Sequence, residues 1–202
     1  MLREERNYEF RKRLLTLHKE GIRDKNRIPL DNEFIITDGC IVQLPEEAGD
    51  VMLSAAKDFV DYLFTSMEVS VMLKRGGVVA KAGQIVVHIP EPSENLLGEA
   101  NGYMGYRIVI DKNIHIYSHD ERGTAQAFYR LEELMSTAQA PCLVKEIVSR
   151  KASFSPRMVH SGYGMDSFPN EHLAAIAHAG MDAILLFVKG ANCSTAGYVD
   201  FN

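Results

Sequence analysis

The sequence predicts an α+β fold: a mixed, mostly antiparallel sheet with helices on one face, followed by a βαβ fragment of a (β/α)8 barrel. Three observations support this class. Up to residue 150 the order of segments is strand, helix, four strands and helix. Both helical segments repeat apolar residues at three- and four-residue steps. After residue 150 the chain continues with a strand, a helix and an apolar run in which polar residues do not alternate. Such a run is typical of a parallel strand that is covered on both faces.

The N-terminal third predicts an exposed helix and a bent strand. Residues 4–20 carry Phe10, Leu14 and Leu17 at helical spacing among charged residues, and Gly21 ends the pattern. Residues 33–44 are apolar and predict one strand or a bent pair, with a turn at Asp38 and Gly39.

A long buried helix and two strands follow. The segment 46–67 has one apolar stripe, which predicts a helix lying on the sheet. The stripe consists of Met52, Ala55, Ala56, Phe59, Tyr62 and Leu63. Residues 69–74 and 84–90 predict strands, which end at a Gly-Gly pair and at Pro90.

A hairpin and a capped helix complete this part. Residues 106–110 and 113–118 flank a two-residue linker, which forces a tight antiparallel hairpin. Ser118 and Glu121 fit a capping box, so a helix should begin near His119 or Asp120. Its predicted buried face consists of Ala125, Phe128, Leu131, Met135 and Ala138.

The last fifty or so residues predict the start of a barrel. Residues 157–164 predict a strand that runs into a Gly-rich loop, Pro169 is expected to open a helix that Gly180 closes, and 182–188 predict a second strand that is apolar on both faces. A barrel needs about 250 residues, so we expect the chain to be the first part of a longer protein. The predicted division is an N-terminal helix at 1–26, an accessory domain at 27–150 and a truncated barrel at 151–202.

Composition argues against several classes of partner. A formal charge of −5 and a pI near 5.8 disfavour a nucleic-acid binder. No apolar run approaches the roughly 20 residues that span a bilayer, so we expect no membrane partner. The polar first residues predict no signal peptide and a cytoplasmic location, although a trimmed leader would allow secretion.

The sequence predicts neither a metal site nor a cofactor. Cys40, Cys142 and Cys193 are an odd number of widely spaced cysteines without Cys-x-x-Cys or paired Cys/His spacing, so they predict neither a disulfide framework nor a zinc site. The histidines lack the His-Glu-x-x-His arrangement. The adjacent acids Glu46-Glu47, Asp120-Glu121 and Glu132-Glu133 are expected at helix starts or on solvated faces, so we expect no catalytic residue among them.

The segment GYRIVIDKNIHIYSHDERGTAQAFYRLEELM resembles the end of the non-catalytic N-terminal domain of family 20 glycoside hydrolases, the β-N-acetylhexosaminidases. The matching positions are Gly105, Tyr106, Gly123, Phe128, Tyr129, Leu131 and Leu134. That domain is described as zincin-like, although it keeps no metal site. The segment SFSPRMVHSGYGMD falls where the family's first barrel strand begins, with Gly162 near the position of a family Asp.

The resemblance implies a carbohydrate partner and an inert first part. The family's catalytic Asp-Glu pair would follow the fourth barrel strand, beyond residue 202. Arg157 matches a sugar-hydroxyl-binding Arg of the family. Asp166 and Lys189 lie in loops after the two predicted barrel strands, where barrel enzymes place their sites, so they are further candidate substrate-binding residues.

Two other functions remain open at this point. The chain could be a stand-alone carbohydrate-binding or protein-interaction module that forms a homodimer through its C-terminal βαβ unit. It could also be a small nucleotide-binding α/β protein, but no Gly-x-Gly-x-x-Gly or P-loop stretch follows a strand.

Overall fold

A computed structural model describes residues 16–77, 82–91, 93–160 and 170–185. The chain divides into two compact units. The first comprises residues 18–153, and the second includes the described residues 154–160 and 170–185 together with 16 and 17. Most of the N-terminal helix predicted at 4–20 lies outside the described residues, and residues 16–20 are not helical.

The first unit consists of a six-stranded sheet, a two-stranded sheet and two long helices. Its elements are β1 (Glu33–Ile35), β2 (Ile41–Leu44), α1 (Asp50–Met67), β3 (Met72–Arg75), β4 (Ile85–His88), a 3-10 turn (Gly98–Ala100), β5 (Tyr106–Ile110), β6 (Ile114–Ser118), α2 (Glu121–Ala138), β7 (Cys142–Val144) and β8 (Ile147–Arg150). The strand order in the large sheet is β3-β2-β4-β6-β5-β8, and β1 pairs with β7.

The large sheet is mixed, but the prediction that it is mostly antiparallel is wrong. Strand β2 pairs in parallel with β3 and β4, and β4 pairs in parallel with β6. Only the pairs that β5 makes with β6 and β8 are antiparallel. Helix α1 carries the chain back to the end of the sheet at which β2 begins, so β3 can run in the same direction as β2. Strands β3 and β4 are consecutive in sequence but lie on opposite sides of β2.

The predicted core faces of both helices are confirmed. All six residues of the α1 stripe are buried. In α2 four of the five predicted residues are buried, and Ala138 is half-buried. The rings of Phe59 and Phe128 lie 4.9 Å apart between the helices, and Ile108 and Ile116 of the sheet belong to the same buried cluster.

The hairpin is confirmed, but the helix cap differs from the prediction. Strands β5 and β6 pair from Tyr106 with Ser118 to Ile110 with Ile114. The capping residue of α2 is Asp120, whose carboxylate accepts a hydrogen bond from the Gly123 backbone N–H at 2.6 Å. The Ser118 hydroxyl instead donates to the carbonyl oxygen of Gly105 at 2.8 Å. A buried hydroxyl needs a hydrogen-bond partner, and the backbone carbonyl that directly precedes β5 supplies it.

Glu121 caps the other helix. Its Oε2 accepts hydrogen bonds from the backbone N–H groups of Val51 and Met52, at 3.1 and 3.2 Å. Gly49, the N-cap residue of α1, provides no side-chain cap of its own. A carboxylate at this end also interacts favourably with the helix dipole. The start of α2 therefore stabilises the start of α1.

The second unit contains the predicted parallel βαβ arrangement. Strand β9 (Met158–His160) pairs in parallel with β10 (Ala183–Leu185), and helix α3 (Asn170–His178) lies between them in sequence. None of the α3 residues is buried, and Leu185 of β10 is 43% exposed. These described residues therefore do not cover β10 on both faces. In the described part of the chain, no helix is long and apolar enough to cross a membrane.

Candidate functional site

The two glycines of the segment 105–135, which resembles part of the family 20 domain, have a packing role. A methyl group at Gly123 would overlap the Ser118 hydroxyl and lie 2.5 Å from the carbonyl oxygen of Gly105. A methyl group at Gly105 would overlap the carbonyl oxygen of Ala100. Both positions exclude a side chain because backbone segments meet there. The segment thus joins α2 to the hairpin, and its glycines supply no chemical group.

Of the three predicted sugar-contacting residues, the structure describes only Arg157. Asp166 and Lys189 lie outside the described residues. Arg157 is half-buried and directly precedes β9. Its backbone N–H donates to Oδ1 of Asp182 at 2.7 Å, and its carbonyl oxygen accepts from the N–H of Asp182 at 2.9 Å. Asp182, which the sequence did not single out, therefore ties together the starts of β9 and β10.

Glu132 and Glu133 were each expected on a solvated face, and for Glu132 this expectation is wrong. Glu132 is 5% exposed, whereas Glu133 faces solvent and forms an ion pair with Arg130 at 2.6 Å. Neighbouring helical residues point about 100° apart, so the two members of an adjacent pair can lie in different environments. The spacing distinguishes the two acids, because Glu132 lies four residues after Phe128 and three before Met135, on the predicted buried face of α2.

Glu132 lies beside a polar cluster formed by His18 and by residues of α1 and α2. The side chain of His18 is 7% exposed, and its Nδ1 is 2.7 Å from a carboxylate oxygen of Asp61. Its Nε2 is 3.5 Å from Oδ2 of Asp58. The hydroxyl of Tyr62 donates to the carbonyl oxygen of Glu132 at 2.9 Å, and the His18 ring meets the Tyr62 ring edge-on.

The charges in this cluster alter the acidity of its neighbours. Burial by itself lowers the pKa of His18, but hydrogen bonds to Asp58 and Asp61 outweigh it, so the pKa is raised. Burial raises the pKa of Tyr129, and the charges of Asp58 and Glu132 raise it further. The local field therefore favours positive charge between the helices.

A second histidine cluster lies on the sheet face opposite the helices. His88 and His115 are hydrogen-bonded through Nε2 and Nδ1 at 2.9 Å, and the His88 ring stacks on Tyr117 at 4.7 Å. Burial lowers the pKa of both histidines, and the His115 charge lowers that of His88 further. Neutral imidazoles suit this bond, in which one ring donates and the other accepts. The cluster links β4 to β6.

The described cysteines are poor nucleophiles. Cys40 and Cys142 are free thiols and both are buried. Burial raises the pKa of Cys40 to about 11, so the thiolate is scarce near neutral pH. Both are core residues.

Neither a family model nor a curated protein matches the chain. Solved structures do match it in fold. Flavobacterium johnsoniae chitobiase (FjGH20) matches with a TM-score of 0.56 and 14% identity, covering 78% of this chain and 25% of that one. A family GH115 4-O-methyl-α-glucuronidase, described as specific for decorated arabinogalactans, matches with a TM-score of 0.54 and 13% identity, covering 75% and 25%.

A β-N-acetylhexosaminidase from Bacteroides fragilis matches with a TM-score of 0.53 and 13% identity, covering 81% of this chain and 32% of that one. The chain thus spans about a quarter to a third of the length of these three proteins. At sequence identities of 13–14%, these matches show a shared fold and nothing about activity or substrate. The chain has a fold that occurs within glycoside hydrolases, including family 20 hexosaminidases.

Proposed function

We propose that the chain forms the accessory domain and the first βαβ unit of the barrel of a carbohydrate-cleaving enzyme, and that it is catalytically inert alone. One observation carries the proposal. The fold matches three glycosidases over 75–81% of this chain but only 25–32% of theirs. Most of each glycosidase therefore has no counterpart in this chain. We place the catalytic groups of the whole protein in the part that would correspond to that missing region.

The described contacts support a structural role for the first unit. Gly105 and Gly123 allow close backbone packing, and Glu121 caps α1. Phe128 fills the space between the helices and the sheet. These four residues therefore stabilise the packing of the first unit. Arg157, Asp166 and Lys189 would meet a sugar only once the rest of the barrel surrounds them.

The chain is expected not to hydrolyse chromogenic N-acetylglucosaminides or other aryl glycosides above background. The measurement is release of the aryl alcohol by chain purified through two unrelated chromatographic steps. Turnover that follows the protein through both steps would contradict the proposal, because it would place the catalytic carboxylates in this chain.

The proposal for the whole protein is tested by sequencing the gene beyond the codon for Asn202 and expressing any longer reading frame. The longer protein is expected to cleave a glycoside, and Arg157→Ala in it should raise KM more than it lowers kcat. A matched Arg150→Ala variant, changed at the end of β8, should leave both constants close to wild type. A reading frame that stops at Asn202 would contradict the proposal.

A second candidate function is a binding module that dimerises through the second unit. The exposed apolar residues Met158, Leu173 and Leu185 favour it. Apolar strands and helices of this kind are stabilised when a second copy covers them. Light scattering should then show a dimer for the whole chain and a monomer for a version that ends at Ser153. A monomeric whole chain would remove this candidate.

A further inference from the structure

Three metal-ligating side chains from separate parts of the first unit converge between the helices. His18 lies in the segment before α1, Asp58 lies on α1 and Glu132 lies on α2. One donor atom of each lies within 4.8 Å of the donor atoms of the other two. The set combines one imidazole nitrogen with two carboxylates, which is a donor set that suits zinc.

The orientation of His18 matches that of a metal ligand. Metal-bound histidines almost always donate their other ring N–H to a carboxylate or carbonyl, which fixes the tautomer and aims the free nitrogen. Here Nδ1 is 2.7 Å from Asp61, on the outer side of the cluster. Nε2 is then the nitrogen beside Asp58. Asp61 therefore matches a carboxylate that does not bind the metal but orients the histidine ligand through its other ring nitrogen.

The distances require little rearrangement. Bonds of about 2.0–2.1 Å in a tetrahedral zinc site place neighbouring ligand atoms about 3.3 Å apart. Nε2 of His18 and Oδ2 of Asp58 are already 3.5 Å apart. The side chain of Glu132 is buried, so its position is restricted by packing against the helices. The two carboxylates together would balance the charge of one divalent ion.

We propose that His18, Asp58 and Glu132 bind one Zn²⁺ ion, with Asp61 as a positioning residue. The nitrogen ligand and small ligand number favour zinc over Mg²⁺ and Ca²⁺, which prefer six or more oxygen ligands. The ion would fasten the segment around His18 to both helices. This inference is independent of the proposed carbohydrate function.

The test is titration of the whole metal-free chain with ZnCl₂ in a calorimeter. Binding of one Zn²⁺ per chain is expected, with a rise in Tm that grows with free Zn²⁺. Glu132→Gln preserves shape and removes a ligand charge, so it should weaken binding by more than about 100-fold. Asp61→Asn should weaken binding by about 10–100-fold, as is usual for outer partners.

The neighbouring Glu133→Gln is the matched control, because Glu133 is exposed on the same helix. It should leave the affinity within about twofold of wild type. Asp58→Asn provides a second ligand variant if Glu132→Gln does not fold, which circular dichroism would show. His115→Gln tests whether zinc binds at the other histidine pair. Unchanged affinity in both ligand variants, loss of binding in His115→Gln, or no one-to-one binding would each overturn the proposal.

Discussion

Replacing Phe128 with Ala is expected to lower the free energy of unfolding by about 3–5 kcal/mol, the usual loss for a buried Phe. Phe128 is fully buried and its ring lies 4.9 Å from that of Phe59. Its removal leaves a cavity where α1, α2 and the sheet meet, and the surrounding strands cannot close it. The measurement is urea titration followed by circular dichroism.

The matched control is Phe64→Ala, because Phe64 lies on α1 and is 63% exposed. Its loss should change stability by no more than about 0.5 kcal/mol, as for ordinary surface positions. A loss below about 1 kcal/mol for Phe128→Ala would mean that the buried face of α2 is assigned wrongly.

Gly123→Ala is expected to destabilise the chain by about 1–3 kcal/mol, as overpacking does in well-packed sites. In an open helix the same change would stabilise by about 1 kcal/mol, because Ala is the better helix former. The sign reverses here because the added methyl group would overlap the Ser118 hydroxyl and press on the carbonyl oxygen of Gly105. Thermal unfolding should show a fall in Tm of about 2–4 °C for each kcal/mol lost.

Thr137→Ala on the exposed side of α2 is the matched control for Gly123→Ala. It exchanges an exposed β-branched residue, whose hydroxyl donates to the Glu133 carbonyl oxygen of the same helix at 2.8 Å, for a better helix former, so it should be neutral or slightly stabilising. If Gly123→Ala also stabilised the chain, the close approach of α2 to the hairpin would be refuted.

The elements that depend on near neighbours in the chain were predictable from the sequence. The stripes on α1 and α2 follow from residues three and four positions apart, which share a helix face whatever surrounds them. The β5–β6 hairpin follows from a short linker between two strands. The strands β7 and β8 were missed, because they are three and four residues long and carry no sustained alternation.

The candidate metal cluster was not predictable in the same way. His18, Asp58 and Glu132 belong to no local motif, and spacing rules for metal sites apply only to ligands close together in sequence. The fold brings them together by packing α1 against α2. Glu132 also shows the limit of reading adjacent acids as a pair, because its burial follows from its place on the buried face of α2, four residues after Phe128.

The sequence by itself determined the two long helices with their apolar faces, the β5–β6 hairpin and the change to a parallel βαβ unit after residue 150, because each of these is a local pattern. The tertiary structure alone decided which strands are neighbours, that Glu121 caps α1 across 70 positions, and that His18 reaches Asp61 across 43. The physical reason is the same in each case. Hydrogen-bond and charge partners are chosen by distance in space, and the path of the chain sets that distance only when the whole unit has packed.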